Sequence, residues 1–339
     1  MHKAFTLLLA FVFFVALTTW TSEVGIQRAS VVGTLTLATH AAIQDPAQSK
    51  EARAATLSFV GDCTLGENVG RSYFEGVWRK KGAEWFLSGV ARYFGRDDLT
   101  IANLEGALTE ETRHIGIGEF HFRGDPDYAR ILSEGGVDAV DLANNHTMDY
   151  GEKGYADTQD ALSAVGVAWF GDEGLLVRDV GGIRIGFYGL SFTDDTALIE
   201  ARTLALREQG AELVVASFHD GEPGIRYTPT ERQRRAATRA IDAGADLVIQ
   251  HHPHVLQEIS EYKGKLIAYS LGNFCYGGHS APADMDSIIL QVQIKETKKG
   301  FKITHRAIPV SISSSEGYND YRPKVAKGSD AARILRKLK

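Results

Sequence analysis

The chain has 339 residues, a formal net charge of −6, 44% hydrophobic and 24% charged residues. Such a composition supports a sizeable core and excludes a disordered chain, and the mild acidity lacks the basic footprint of a nucleic-acid binder. Only two cysteines are present, Cys63 and Cys275, which excludes a disulfide framework or a cysteine zinc site on the usual spacing; they read as buried free thiols.

From the N-terminus, Lys3 precedes a run without charge, residues 4–20. The run is at the short end of what spans a bilayer and slightly long for a signal-peptide core. Residues 1–22 therefore read as an anchor in preference to a cleaved signal. Either would leave Lys3 inside and export the rest of the chain, to stay membrane-anchored or be secreted. Residues 23–55, rich in Ala, Thr, Ser and Gln, form a tether. A folded domain is expected over 56–312. Its strands are predicted at 57–60, 99–102, 139–143, 183–190, 213–217, 247–250 and 266–270, several of them almost wholly apolar, as in a parallel sheet covered on both faces. Two more alternating runs, 287–294 and 301–309, predict antiparallel strands. Between them, Asp125-Pro126 opens a helix that ends near Gly135, another spans 155–164, and Thr228-Pro229-Thr230-Glu231 reads as a capping box opening a helix that ends near Gly244. Alternating strands and helices predict an α/β fold. Residues 313–339, with Lys324, Lys327, Arg333, Arg336, Lys337 and Lys339, read as a solvated basic tail.

Polar residues of metal-ligand type stand just past the C-terminal ends of successive predicted strands: Asp62, Glu105, Asn145-His146 with Asp149, His219, and His251-His252-Pro253-His254. In open α/β sheets that rim is where ligands bind. Each motif alone is a common turn, but three imidazoles in four residues have no ordinary packing reason. Imidazole and carboxylate donors suit zinc, manganese or iron, and a nearby histidine outside the ligand set can serve as general acid. Arg123 sits just before the helix that Asp125 opens, where the free N–H groups and a planar guanidinium both favour an anion.

Phe59-Val60-Gly61-Asp62, Ala102-Asn103-Leu104-Glu105, Leu142-Ala143-Asn144-Asn145-His146, His252-Pro253-His254-Val255 and Tyr269-Ser270-Leu271-Gly272-Asn273-Phe274 resemble the CapA family of capsule-synthesis proteins associated with poly-γ-glutamate. The resemblance covers residues 56–294. It implies a two-sheet sandwich flanked by helices (α/β/β/α), similar to the calcineurin-like metallophosphoesterases. It further implies one or two divalent transition ions (Mn, Zn or Fe) on Asp62, Glu105, Asn145, His219, His252 and His254, with Glu105 in place of a bridging aspartate. His146 would be the acid, oriented by Asp149, with Arg123 and Asn273 on the substrate side. His251 stands where those enzymes usually have glycine and is left out of the ligand set. Two segments depart from the pattern. Asp62-Cys63-Thr64 lacks the usual Asp-x-His histidine, and His219-Asp220-Gly221-Glu222 replaces the family's His-Trp-Gly run. The function implied is metal-dependent hydrolysis on an anionic polymer such as poly-γ-glutamate, outside the cytoplasm. A non-catalytic polymer-holding partner of a membrane synthase or exporter, and a broad-specificity metallophosphoesterase, are the alternatives.

Overall fold

The computed structural model describes residues 52–68, 73–115, 118–193, 195–221 and 226–339. The apolar run 4–20 and all but the last residues of the expected tether lie outside the described residues. Among those described, no helix is long and apolar enough to cross a membrane.

The chain enters along β1 (Ala54–Thr64), passes through α1 (Phe74–Lys81), α2 (Glu84–Leu87) and α3 (Ala91–Phe94), and returns parallel as β2 (Leu99–Leu104). A small ribbon of β3 (Ala107–Leu108) and β4 (Arg123–Gly124) precedes α4 (Ala129–Gly135), β5 (Ala139–Asp141), α5 (Gly151–Ala164) and β6 (Ala168–Phe170). The hairpin of β7 (Leu175–Val180) and β8 (Ile183–Ser191) starts a second sheet, continued by α6 (Thr196–Glu208), β9 (Leu213–His219), α7 (Glu231–Asp242), β10 (Leu247–His251), β11 (Ile259–Tyr262) and β12 (Lys265–Ala268). The chain then rejoins the first sheet through β13 (Asn273–Tyr276), β14 (Asp286–Thr297), β15 (Gly300–Ser311) and β16 (Lys324–Val325), and closes with α8 (Gly328–Arg336).

The first sheet has the order β16-β15-β14-β1-β2-β5-β6, with β13 also against β1; the second has β11-β12-β10-β9-β8-β7. In the first sheet β1, β2, β5 and β6 run parallel and β14, β15 and β16 antiparallel; in the second, β12, β10, β9 and β8 run parallel and the edges β11 and β7 antiparallel. Three apolar clusters set the layers. Phe59, Ile101, Phe187, Val215 and Ile249 pack between the two sheets. The outer face of the first sheet packs on α1 to α5 through Phe74, Phe86, Ile131 and Leu162. The outer face of the second packs on α6 and α7 through Ile199, Leu206, Ala236 and Ile241. The layer order is thus α/β/β/α, as the resemblance implied.

Three local expectations are corrected. First, the fold begins before residue 56: Arg53 donates to Glu212 and Glu296 at 2.8 and 2.7 Å. Second, the α7 cap lies later than the residues suggested, with Thr230 capping and Gln233 completing the box. Third, 313–339 is not a solvated tail. Tyr321 and Ile334 are buried, Lys337 Nζ lies 2.6 Å from Asp284 and 2.7 Å from Asp286, and Arg333 pairs with Asp286. Two of the basic residues that look like a solvated end, Arg333 and Lys337, are paired with acids near the start of β14, while apolar positions between them seat α8 on β14 and β15.

Candidate metal centre

The first carboxylate is placed by a close backbone approach. A Cβ on Gly61 would fall 1.8 Å from the carbonyl oxygen of Gly272, so only glycine lets β1 pass there, and the next N–H, of Asp62, donates to that same oxygen at 2.9 Å. In register, Asp62 then stands beside Asn103 of β2 and Asn273 of β13. Beyond β2, the Glu105 N–H donates to the Cys63 carbonyl at 3.0 Å. In the second sheet, His219 and His251 are paired at the ends of β9 and β10. The chain then turns through His252 and His254, both at positive φ (99° and 57°). Backbone of that kind is costly for a side-chain-bearing residue and is concentrated at sites where geometry matters more than stability.

These groups converge. His219 Nδ1 lies 3.2 Å from Asn103 Nδ2, which turns its Nε2 toward Glu105 Oε1 at 3.5 Å and His252 Nδ1 at 3.0 Å. His254 sets Nε2 3.6 Å from Glu105 Oε1 and Nδ1 3.2 Å from Asp62 Oδ2. Ligand atoms of Glu105, His252 and His254 all lie within 4.8 Å of one another. Asp62 and Glu105 are fully buried, yet Asp62 Oδ2 and both carboxylate oxygens of Glu105 lack a hydrogen-bond partner. Burial by itself would raise both carboxyls. The imidazoles of His251 and His254 outweigh it at Asp62 and hold that group well below the usual carboxylate range; His254 and His219 lower Glu105 against burial and the Asp62 charge. Burial and the neighbouring His219 push His252 down to about 4, whereas Glu105 and Asp62 overcome burial and raise His254 to about 10. Two buried carboxylates with unpartnered oxygens make a strongly negative pocket, and it is this field that draws a proton onto His254; a divalent transition ion would supply the positive charge instead, with the imidazoles as neutral donors. Cys63, the next residue along β1, is buried in the apolar cluster between the first sheet and its helices, where burial pushes its thiol up to about 12.

The remaining expected residues fall in three places. Asn273 joins the cluster, accepting at Oδ1 3.0 Å from His254 Nδ1. His146 and Asp149 form a pair of their own, Nδ1 to Oδ2 at 2.8 Å, with the imidazole against the Phe122 ring at 4.3 Å between centroids. Asn145 is exposed, and its neighbour Asn144 is the one held inside, donating to the Leu104 carbonyl and to Asn103 Oδ1. Arg123 donates to the carbonyls of Glu110 and Glu111 at 3.4 and 3.2 Å and lies beside the Tyr150 ring. It lines a cavity of about 400 Å³ with Glu67, Glu110 and Asp125 rather than with the imidazoles. Three residues went unassigned in the sequence. His251, buried, has Nδ1 3.1 Å from Asp62 Oδ1. Asn103 donates to that same oxygen at 2.8 Å. Tyr276 packs its ring 5.9 Å from that of His254. The first two lay inside or beside the quoted motifs; for Tyr276 no signal was visible, because β13 reaches the site only through its pairing with β1.

The fold and site define a class: a two-sheet α/β/β/α sandwich gathering carboxylates and imidazoles at its strand ends. Within it, the chain belongs to the bacterial capsule synthesis protein PGA_cap family, whose model matches residues 56–277. It is similar to the PGA biosynthesis protein CapA of Bacillus subtilis, 28% identical over 75% of this chain and 73% of the relative. It is also similar to the capsule biosynthesis protein CapA of Bacillus anthracis, 27% identical over 86% and 75%. Among solved structures, the calcineurin-like phosphoesterase YfkN from Bacillus subtilis covers 84% of this chain and 96% of its own, at 13% identity and a TM-score of 0.42.

Proposed function

We propose that this protein is a metal-dependent hydrolase, or a transferase of the same chemistry, acting on an anionic capsule polymer of the poly-γ-glutamate type. The observation that carries this reading is the set of unpartnered, fully buried carboxylate oxygens of Asp62 and Glu105 facing His219, His252 and His254. Divalent ions, one or two, when bound at such a site polarise the scissile group and activate water at neutral pH. The chain's own residues supply the rest: Asp62, Glu105, His219, His252 and His254 hold the site in place, and His146, with Nδ1 on Asp149, presents Nε2 as the proton donor to a leaving group. The polymer class comes from the capsule family and from relatives named for PGA and capsule biosynthesis. A partner that merely held polymer for a membrane synthase or exporter would have no use for the His146–Asp149 pair, which is why the catalytic reading is preferred.

The test is elemental analysis of the purified protein, then a hydrolysis screen of γ-glutamyl peptides and phosphodiesters. Metal without turnover on either class would leave the polymer-holding role; turnover on phosphodiesters alone would make it a broad phosphoesterase. Export is part of the proposal. It rests on residues 4–20, and a fusion after Lys339 of a reporter that works only outside the cytoplasm should be active.

A further inference from the structure

Between α1 and the segment 313–321 lies a groove of about 540 Å³ that the metal centre does not use. Its walls are pinned by specific hydrogen bonds. The Tyr73 N–H donates to Tyr321 Oη at 2.8 Å, Trp85 Nε1 to the Asp320 carbonyl at 3.3 Å, and Asn319 Nδ2 to the carbonyls of Tyr276 and His279 at 2.7 and 3.2 Å. The last two bonds tie the groove to the site. Tyr276, beside His254, ends β13, and the loop that follows brings Ser280 and Ala281 to the groove wall.

The lining is aromatic and basic. Tyr73 and Tyr318 are 75% and 55% exposed, unusual among the described rings, most of which are buried, and Trp85 lines the same groove. Lys81 Nζ stands 4.4 Å from the Trp85 ring and the Arg322 guanidinium 4.5 Å. Lys80 is exposed on the same helix end. The one carboxylate among the described residues of the lining, Asp320, is already occupied by Ser313, Ser314 and Ser315. Two ammonium groups against that one carboxylate leave the described lining net positive on a chain of net charge −6. Exposed rings and ammonium groups lining one groove match a ligand that alternates methylene stems with carboxylates.

We propose that this groove is a second, non-catalytic binding site for a polycarboxylate chain, which holds an extended polymer while another stretch of it reaches the metal centre. It rests on the polymer reading above. The carboxylates meet Lys80 and Lys81, and the methylenes lie on the exposed rings of Tyr73 and Tyr318.

The experiment measures binding of labelled poly-γ-glutamate fragments to the full-length protein, in the wild type and in a His252→Ala, His254→Ala background where the metal centre is disabled. Lys80→Glu with Lys81→Glu, both exposed at the end of α1, should weaken binding about tenfold in both backgrounds at low salt. Tyr73→Ala with Tyr318→Ala should weaken it with little change in salt dependence. Unchanged affinity in the Lys80, Lys81 variant, with its melting temperature intact, overturns the proposal. Equal competition by polyphosphate of matched charge also overturns it, because the site would then be a general anion patch. Loss of hydrolysis in the His252, His254 background with the groove effect retained tests the two readings separately. Hydrolysis and metal intact with no groove effect rejects the groove alone.

Discussion

His146 Nδ1 lies 2.8 Å from Asp149 Oδ2, and that same oxygen accepts the Phe122 backbone N–H at 2.8 Å. The carboxylate is thereby tied at two points, and the imidazole packs between it and the Phe122 ring, with Nε2 on the side of the ring opposite Asp149. His146→Ala should lower turnover roughly 10²–10⁴-fold, the ordinary worth of general acid catalysis, with metal content near normal. Asp149→Asn keeps the shape but loses the charge that orients the ring, and should cost about 10²-fold in kcat with KM little changed. A steady-state comparison with metal content measured in parallel checks both; full activity in His146→Ala would make the pair structural.

The metal prediction comes from the orphaned oxygens. Replacing His252 and His254 together by Ala should remove most bound divalent ion, read by elemental analysis. In the wild type a chelator should lower the melting temperature, because an ion that binds only the folded chain stabilises it by mass action. Metal content unaltered in the double variant would refute the ligand assignment.

Asp141, beside Asn103 in register on β5 and outside the proposed ligand set, offers a pH test. It is buried, its Oδ1 accepts the Ala143 N–H at 2.8 Å and its Oδ2 has no partner. Burial pushes it up to about 7, against the Ser217 hydroxyl. The folded chain thus holds a proton that the unfolded chain releases near the ordinary value of 3.8. The associated stability is fully present below that value and is lost as pH rises through about 7. Asp141→Asn removes this dependence. Its melting temperature, measured on chelated protein, should exceed that of the wild type at pH 8, and the advantage should shrink toward pH 4. A constant offset across the range would show that Asp141 is ionised in the fold throughout.

Arg123 sits on β4 with its guanidinium shared between the Glu110 and Glu111 carbonyls, at the rim of a cavity that the imidazoles do not line. If it reads substrate charge, Arg123→Ala should raise KM roughly tenfold at low salt with kcat and metal unchanged, and Arg123→Lys less, since lysine lacks the planar fork. Equal KM in wild type and Arg123→Ala would confine the residue to bracing the 110–111 turn.

Much of this protein was legible in one dimension. Apolar runs such as 183–190, 213–217 and 247–250 marked inner strands because residues covered on both faces must be apolar throughout. The turn residues just beyond them marked the site because those strands are parallel and end on one side. Local chemistry also identified the His146–Asp149 pair, three residues apart. Only the tertiary structure decided the partners. His251 looked like a spare imidazole until β9 and β10 brought it opposite Asp62, and Tyr276 had no visible role until β13 paired with β1. The basic C-terminal stretch looked solvated because its countercharges, Asp284 and Asp286, lie some fifty residues away. Periodicity and turn chemistry act over a few residues and can be read along the chain. Charge pairing and burial act through space, and the fold alone sets which distant residues meet.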